Sequence, residues 1–230
     1  MQYTKSSTMN PQLKSLSLFA LFSISFVTTA SNSVTINTLV KPNSHQLKII
    51  KNDHLLYHAN TQWSASDVVL NVSVGHQTQR GKIVINRNSV SAFNELGEPL
   101  WQDDRLDNKV CLPELFAEFI RANLTELKKE QSITCVGPVL KAKKLAPFKV
   151  TLLSQTPEQL IVNIGPGSFG MWFFMDNIEL ILNNDATYVL AHKGITPAPS
   201  SLSGKMSYLN MTASSKVNYP IAKIENTILW

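Results

Sequence analysis

The stretch CLPELFAEFIRANLTELKKEQSITC, residues 111–135, decides how the chain is read. Leu112, Leu115, Phe116, Phe119, Ile120, Leu124 and Leu127 recur at three- and four-residue intervals, so they share one face of a helix. The spacing predicts a helix from Pro113 to about Glu130. Pro113 suits the first helical position, where its missing N–H costs nothing. Glu114 and Glu118 complement the positive end of the helix dipole, and Lys128 and Lys129 the negative end. Leu112 stands where a Ser, Thr, Asp or Asn cap is expected, so the N-terminal boundary is soft. So apolar a face requires a cover, either an ordinary core or an apolar ligand beneath a helical lid.

The same stretch is bounded by the chain's two cysteines, Cys111 and Cys135. In an exported chain such a pair predicts a disulfide, tying the helix ends to the neighbouring strands. Neither cysteine has a second Cys or His at metal-ligand spacing, and no CxxC motif is present. No metal site and no cofactor are therefore expected.

Upstream, residues 1–30 read as a signal peptide. Lys5 and Lys14 precede an apolar core from Leu16 to Val27, and Thr28, Thr29 and Ala30 offer small residues for cleavage. That core is too short and too interrupted by serine to span a bilayer, and no other stretch is a membrane helix. A periplasmic or secreted location follows, by a bacterial or a eukaryotic route. The sequons at Asn71, Asn123 and Asn210 do not decide between them, because Asn71 falls in a strand pattern and Asn123 in the helix. The remainder, 31–230, is expected to form a single domain. Hydrophobic content of 43% and charged content of 16% exclude bulk disorder. Two of the positive charges fall in the leader, and the net charge without it is +3. The only dense basic cluster, Lys141, Lys143 and Lys144, is short, so nucleic acid is not an expected partner. A solvated strand edge or an anionic surface accounts for that cluster.

The flanks of the helix carry strand patterns. Val34–Val40, Gln46–Ile50 with His54–His58 as a hairpin, Asp67–Val74, Lys82–Asn86 and Ser89–Phe93 precede it, and Trp101–Lys109 reads as an acidic connector. After Gly137-Pro138, read as a break, strands are expected at Phe148–Leu153, Gln159–Ile164, Asp176–Leu182 and Thr187–His192. The span 171–182 also carries a helical stripe. A loop over Gly194–Gly204 and two closing strands, Lys205–Thr212 and Ile221–Trp230, complete the chain. Short strands around one dominant helix predict a β-rich α+β domain, with a curved antiparallel sheet or incomplete barrel against the amphipathic helix at about 113–130. That arrangement resembles, in architecture, the periplasmic lipoprotein-carrier type of fold. An architectural likeness by itself implies no function.

Several motifs with chemical meaning also have plain structural roles. Gly165, Gly167 and Gly170 match G-x-G-x-x-G, but Pro166 removes an N–H and no helix pattern follows, so a turn is expected rather than a dinucleotide site. Ser168, Asp185 and His192 follow hydrolase order but lie close together, without a nucleophile elbow. His54 and His58, with His45 and His76 nearby, lack the Glu of a zinc motif and read as exposed strand histidines. Glu95, Glu98, Asp103 and Asp104 form an acidic group in loops. No catalytic constellation emerges. The run Met171–Met175 is the most apolar short segment, so Trp172, Phe173 and Phe174, with Phe116, Phe119 and Ile120, are the candidate walls of an apolar pocket. A non-catalytic exported module for a lipid, another apolar or amphipathic ligand, or an envelope protein is the first expectation. A hydrolase of an envelope substrate and an assembly factor docking through a sheet edge are the alternatives.

Overall fold

Alternation in Asp67–Val74 sets the pattern of the first half of the chain. Val68, Leu70 and Val72 are buried while the residues between them are more exposed, as a strand with one face on a core requires. The computed structural model describes residues 33–104, 108–140, 143–168, 176–224 and 229. The leader at 1–30 and the aromatic run at 171–175 lie outside the described residues. Seven strands form the first sheet in sequence order: β1 (Val34–Lys41), β2 (Ser44–Lys51), β3 (His54–Trp63), β4 (Asp67–Val74), β5 (Gly81–Asn86), β6 (Val90–Asn94) and β7 (Pro99–Asp103). Each is antiparallel to its neighbour. The β2–β3 hairpin turns on Asn52 and Asp53, with φ of 49° and 63°. Positive φ at both residues gives the turn the twist that matches the strands.

Trp101–Asp103 belongs to β7, with Ala92 opposite Trp101 and Ser91 opposite Gln102, and is not the connector its polarity suggests. An edge strand has only one pairing side and tolerates charge, so composition alone disguises it.

The central segment is helical in two pieces. A 3₁₀ turn, Pro113–Leu115, leads into α1 (Phe116–Ala122), and α2 (Leu124–Glu130) follows. Asn123 interrupts them at φ −106°, and its Nδ2 donates to the Phe119 carbonyl at 2.9 Å. An Asn side chain that satisfies a helical carbonyl competes with the backbone ladder in this way. The apolar face survives the interruption, since Phe116, Phe119, Ile120 and Leu127 are all buried. Leu112 is extended and supplies no cap.

The second sheet contains β8 (Ser132–Val139), β9 (Lys144–Gln155), β10 (Gln159–Pro166), β11 (Ile178–Asn183), β12 (Tyr188–Pro199) and β13 (Tyr208–Pro220), again in sequence order. Gly137 and Pro138 lie inside β8, opposite Ala146 and Leu145, so they do not break it. A Cβ on Gly137 would stand 2.7 Å from the Cys111 carbonyl oxygen, and the glycine is what lets that segment approach. There Cys111 N–H donates to Val136 O at 2.9 Å and Val136 N–H to Lys109 O at 2.8 Å. The Cys111–Cys135 disulfide, with Cα atoms 5.8 Å apart, closes the same junction. Gly165 and Pro166 end β10 opposite Lys149 and Phe148, so the glycine-rich segment begins as strand. The expected loop over Gly194–Gly204 is strand as far as Pro199. Ile221–Ile224 are not strand; they are tucked inward, with Ile221, Ala222 and Ile224 buried.

The result is a β-rich α+β fold of two antiparallel sheets that do not join into one barrel. β1 lies near β13, β3 near β12 and β7 near β9, so the sheets face each other. One apolar cluster joins α1 and α2 to the second sheet. The other joins the first sheet to Leu112, Leu115, Ala198, Leu209 and Ala222. No helix among the described residues is long and apolar enough to cross a membrane.

Candidate functional site

Between the inner faces of the two sheets and the start of the helical segment lies a cavity of about 680 Å³. That volume falls within the usual range for small-molecule sites. The walls follow from strand alternation: Leu47, Ile49 and Leu70 face it from the first sheet, and Phe148, Ile178 and Leu180 from the second. Phe116 meets Phe148 edge-on, with ring centroids 5.3 Å apart, and both line the cavity.

One region of this apolar lining is polar. Glu114 and Glu118, four residues apart, bring two carboxyls to it from the start of the helical segment, and His45 on β2, Tyr57 on β3 and Tyr208 and Tyr219 on β13 contribute the rest. Glu114 Oε1 accepts a 2.5 Å hydrogen bond from the Tyr57 hydroxyl. The other oxygen, Oε2, is buried and has no hydrogen-bond partner among the described residues. Glu118 Oε1 accepts from Ala222 N–H at 3.1 Å. His45 is 2% exposed and neither ring nitrogen has a hydrogen-bond partner among the described residues. Its Nε2 stands 3.8 Å from Glu118 Oε1, beyond hydrogen-bond length.

Burial controls the protonation of these groups. It raises the Glu118 carboxyl to about 7, against the opposing pull of the Ala222 N–H and Arg121. It lowers the His45 imidazole to about 4. Burial also raises Glu114, opposed by the hydrogen bond from Tyr57. Tyr57 is held well above its usual value by burial and by Glu114; Tyr208 is raised by the same two causes, and Tyr219 by burial and Glu118. The His45–Glu118 contact has the separation of an ion pair, yet His45 charges only below about 4 and Glu118 only above about 7. Burial thus pushes both groups toward their neutral forms, and at 3.8 Å their contact is longer than a hydrogen bond.

The residues singled out in the sequence fall in different places. Phe116 borders the cavity. Phe119 and Ile120 are fully buried between the helices and the second sheet and do not line it. Trp172, Phe173 and Phe174 lie outside the described residues. Ser168 and His192 both line the cavity, but the His192 ring binds Ile195 O at 3.1 Å and Asp185 accepts from Thr187 in an exposed turn. His58 pairs with Ser73, and His76 with Thr78 and Gly204. No three His, Cys, Asp or Glu side chains gather as a metal site among the described residues. Glu95 pairs with Arg80 and Glu98 with Asn94, away from the cavity.

The polar group itself carried a readable signal. His45 alternates with Leu47 and Ile49, which places all three on one strand face. Glu118 follows Leu115 by three positions and precedes Phe119, so it borders the apolar stripe. A comparison of the chain with family models, curated proteins and solved structures finds no match in any of the three, and the architectural likeness brings no family with it.

Proposed function

We propose that this is an exported, non-catalytic binding protein that holds an apolar or amphipathic ligand, or an apolar segment of an envelope partner, between its two sheets. The observation that carries the proposal is the 680 Å³ cavity with predominantly apolar walls and a few convergent polar groups. Two features fit an oxidising compartment: the signal-like sequence at residues 1–30 and the Cys111–Cys135 disulfide. Native mass spectrometry of protein purified without reduction tests the proposal. A lipid-sized adduct is expected on the unaltered protein and should be absent from Ala146→Trp, which fills the cavity from β9. If the unaltered protein carries no adduct and takes up no apolar fluorophore, the proposal fails.

A hydrolase of an envelope substrate is the second reading, supported by the approach of His45 to Glu118 inside the cavity. Burial keeps His45 neutral at physiological pH, the state a general base needs. Hydrolysis of apolar esters or amides by the unaltered protein, abolished in His45→Asn, would favour it over simple binding.

A further inference from the structure

We infer that the cavity selects amphipathic ligands that carry a cationic amine, with the ammonium held between Glu114 and Glu118 and the apolar body lying along the walls. The inference rests on the binding function proposed above and names the class of ligand. It begins from the polar region. That region holds two carboxyls, acceptors once ionised, beside groups that can accept or donate. Among the described residues, Glu114 Oε2, the Thr38 hydroxyl and both His45 nitrogens are buried without a hydrogen-bond partner. The Tyr57 hydroxyl is already committed to Glu114 Oε1. A buried acceptor left unpaired is costly, and the cost is relieved by a donor.

An ammonium matches this arrangement in number and in charge. It has three donors and no acceptor, and its charge-assisted bonds to carboxylates are the stronger kind. Neutral His45 offers one ring nitrogen as an acceptor. A ligand headed by a carboxylate or phosphate brings only acceptors and a like charge. Among the described residues, the cations near the cavity do not fill the role. Arg121 donates to the Ile221 carbonyl at 2.6 Å, and Lys144, which also lines the cavity, sits exposed at the start of β9.

Proton linkage gives a second signature. The groups facing Glu118 are His45 from β2, Tyr219 from β13 and Arg121 on its own helix; those facing Glu114 are Tyr57 from β3 and Tyr208 from β13. Since burial holds Glu118 at about 7, an arriving ammonium drives it to the carboxylate, and a proton leaves for solvent. An uncharged ligand of the same length releases none.

The test compares dodecylamine, dodecanol and dodecanoate below their micellar concentrations, as competitors of an apolar fluorophore near neutral pH. The amine is expected to bind about tenfold or more tightly than the alcohol, with dodecanoate weakest. Non-specific attraction works against this order, because the net charge without the leader is +3 and favours the anion. In Glu114→Gln/Glu118→Gln the preference for the amine over the alcohol should disappear. Titration calorimetry of the unaltered protein in buffers of different ionisation enthalpy should show proton release with the amine and none with the alcohol, which keeps the test independent of how the variant folds. Equal binding of amine and alcohol, tightest binding of dodecanoate, or amine binding without proton release would overturn the inference while the cavity's binding role stands. Failure of all three probes to bind would overturn both.

Discussion

The two sheets are built alike and secured differently. The first is a meander of mostly shorter strands, with one register shift each at β2–β3, β3–β4 and β6–β7, and its β2–β3 hairpin turns on Asn52 and Asp53. The second has longer strands at its β9, β12 and β13 positions, with register shifts along β12 and β13. It is backed by α1 and α2 and pinned at β8 by the disulfide and by the close approach at Gly137. Each irregularity disrupts the ladder locally; the shifts are densest along the β12–β13 pair, and the second sheet is the one braced by the helices and the disulfide. The second sheet should therefore depend more on single long-range anchors than the first.

The largest effect expected from one substitution is at Phe119, fully buried between the helices and the second sheet and not part of the cavity wall. Phe119→Ala should cost roughly 3 to 5 kcal/mol by denaturant unfolding. If the second sheet does depend on its helical backing, hydrogen exchange in the variant rises first in β8–β11 and spares β2–β5. Equal loss of protection in both sheets would erase the distinction drawn here. Breaking the disulfide comes next. It spans 24 residues of separation, and its loss in Cys111→Ala/Cys135→Ala should cost about 3 kcal/mol. Exchange should again report the loss at β8 and the start of the helical segment. A uniform downward shift of all amides would mean that the two sheets unfold as one unit and that the anchor serves both.

That asymmetry also explains which parts of the fold were legible. Asp67–Val74 was delimited from its alternation alone, because a regular strand with one buried face leaves a period of two in the sequence. The helical face was legible for the same reason, and the cysteine pairing followed from count and context. In the second sheet the signal fades where the backbone departs from the period. Gly194, at φ +99°, sits where a Cβ would stand 2.1 Å from the Asn177 carbonyl. In the sequence it looks like the start of a loop, although β12 continues through it. Gly137 is misleading in the same way: its missing side chain makes room for Cys111, which only the tertiary structure reveals. The site was less legible than the fold. Phe116 stood out as apolar, whereas Glu114 and Glu118 had an adequate explanation in the helix dipole, and His45 one as an exposed strand histidine. Their convergence is a property of two separate segments, β2 and the start of the helical segment, and only the periodicity within each hinted at it.

The last of these effects concerns that convergence and separates its members by sign. The folded-state carboxyl of Glu118 lies at about 7 against an ordinary value of 4.5. The folded protein therefore holds a proton that the unfolded chain releases, and this group lowers stability as pH rises from about 4.5 to 7. His45 lies at about 4 against 6.5. The unfolded chain takes up a proton that the folded protein refuses, so this group raises stability as pH rises from about 4 to 6.5. Between about pH 4.5 and 6.5 the two slopes oppose each other, proton for proton, and the pair adds little net dependence. Each substitution should expose the other slope. The stability of Glu118→Gln relative to the unaltered protein should climb by up to roughly 3 kcal/mol from about pH 4.5 to 7. The stability of His45→Asn on the same scale should fall by a similar amount from about pH 4 to 6.5. Denaturant melts across that range would give two curves of opposite slope. Parallel curves would show that the groups titrate as a coupled ion pair, and the polar region of the cavity would then already hold its own cation, leaving no place for one from a ligand.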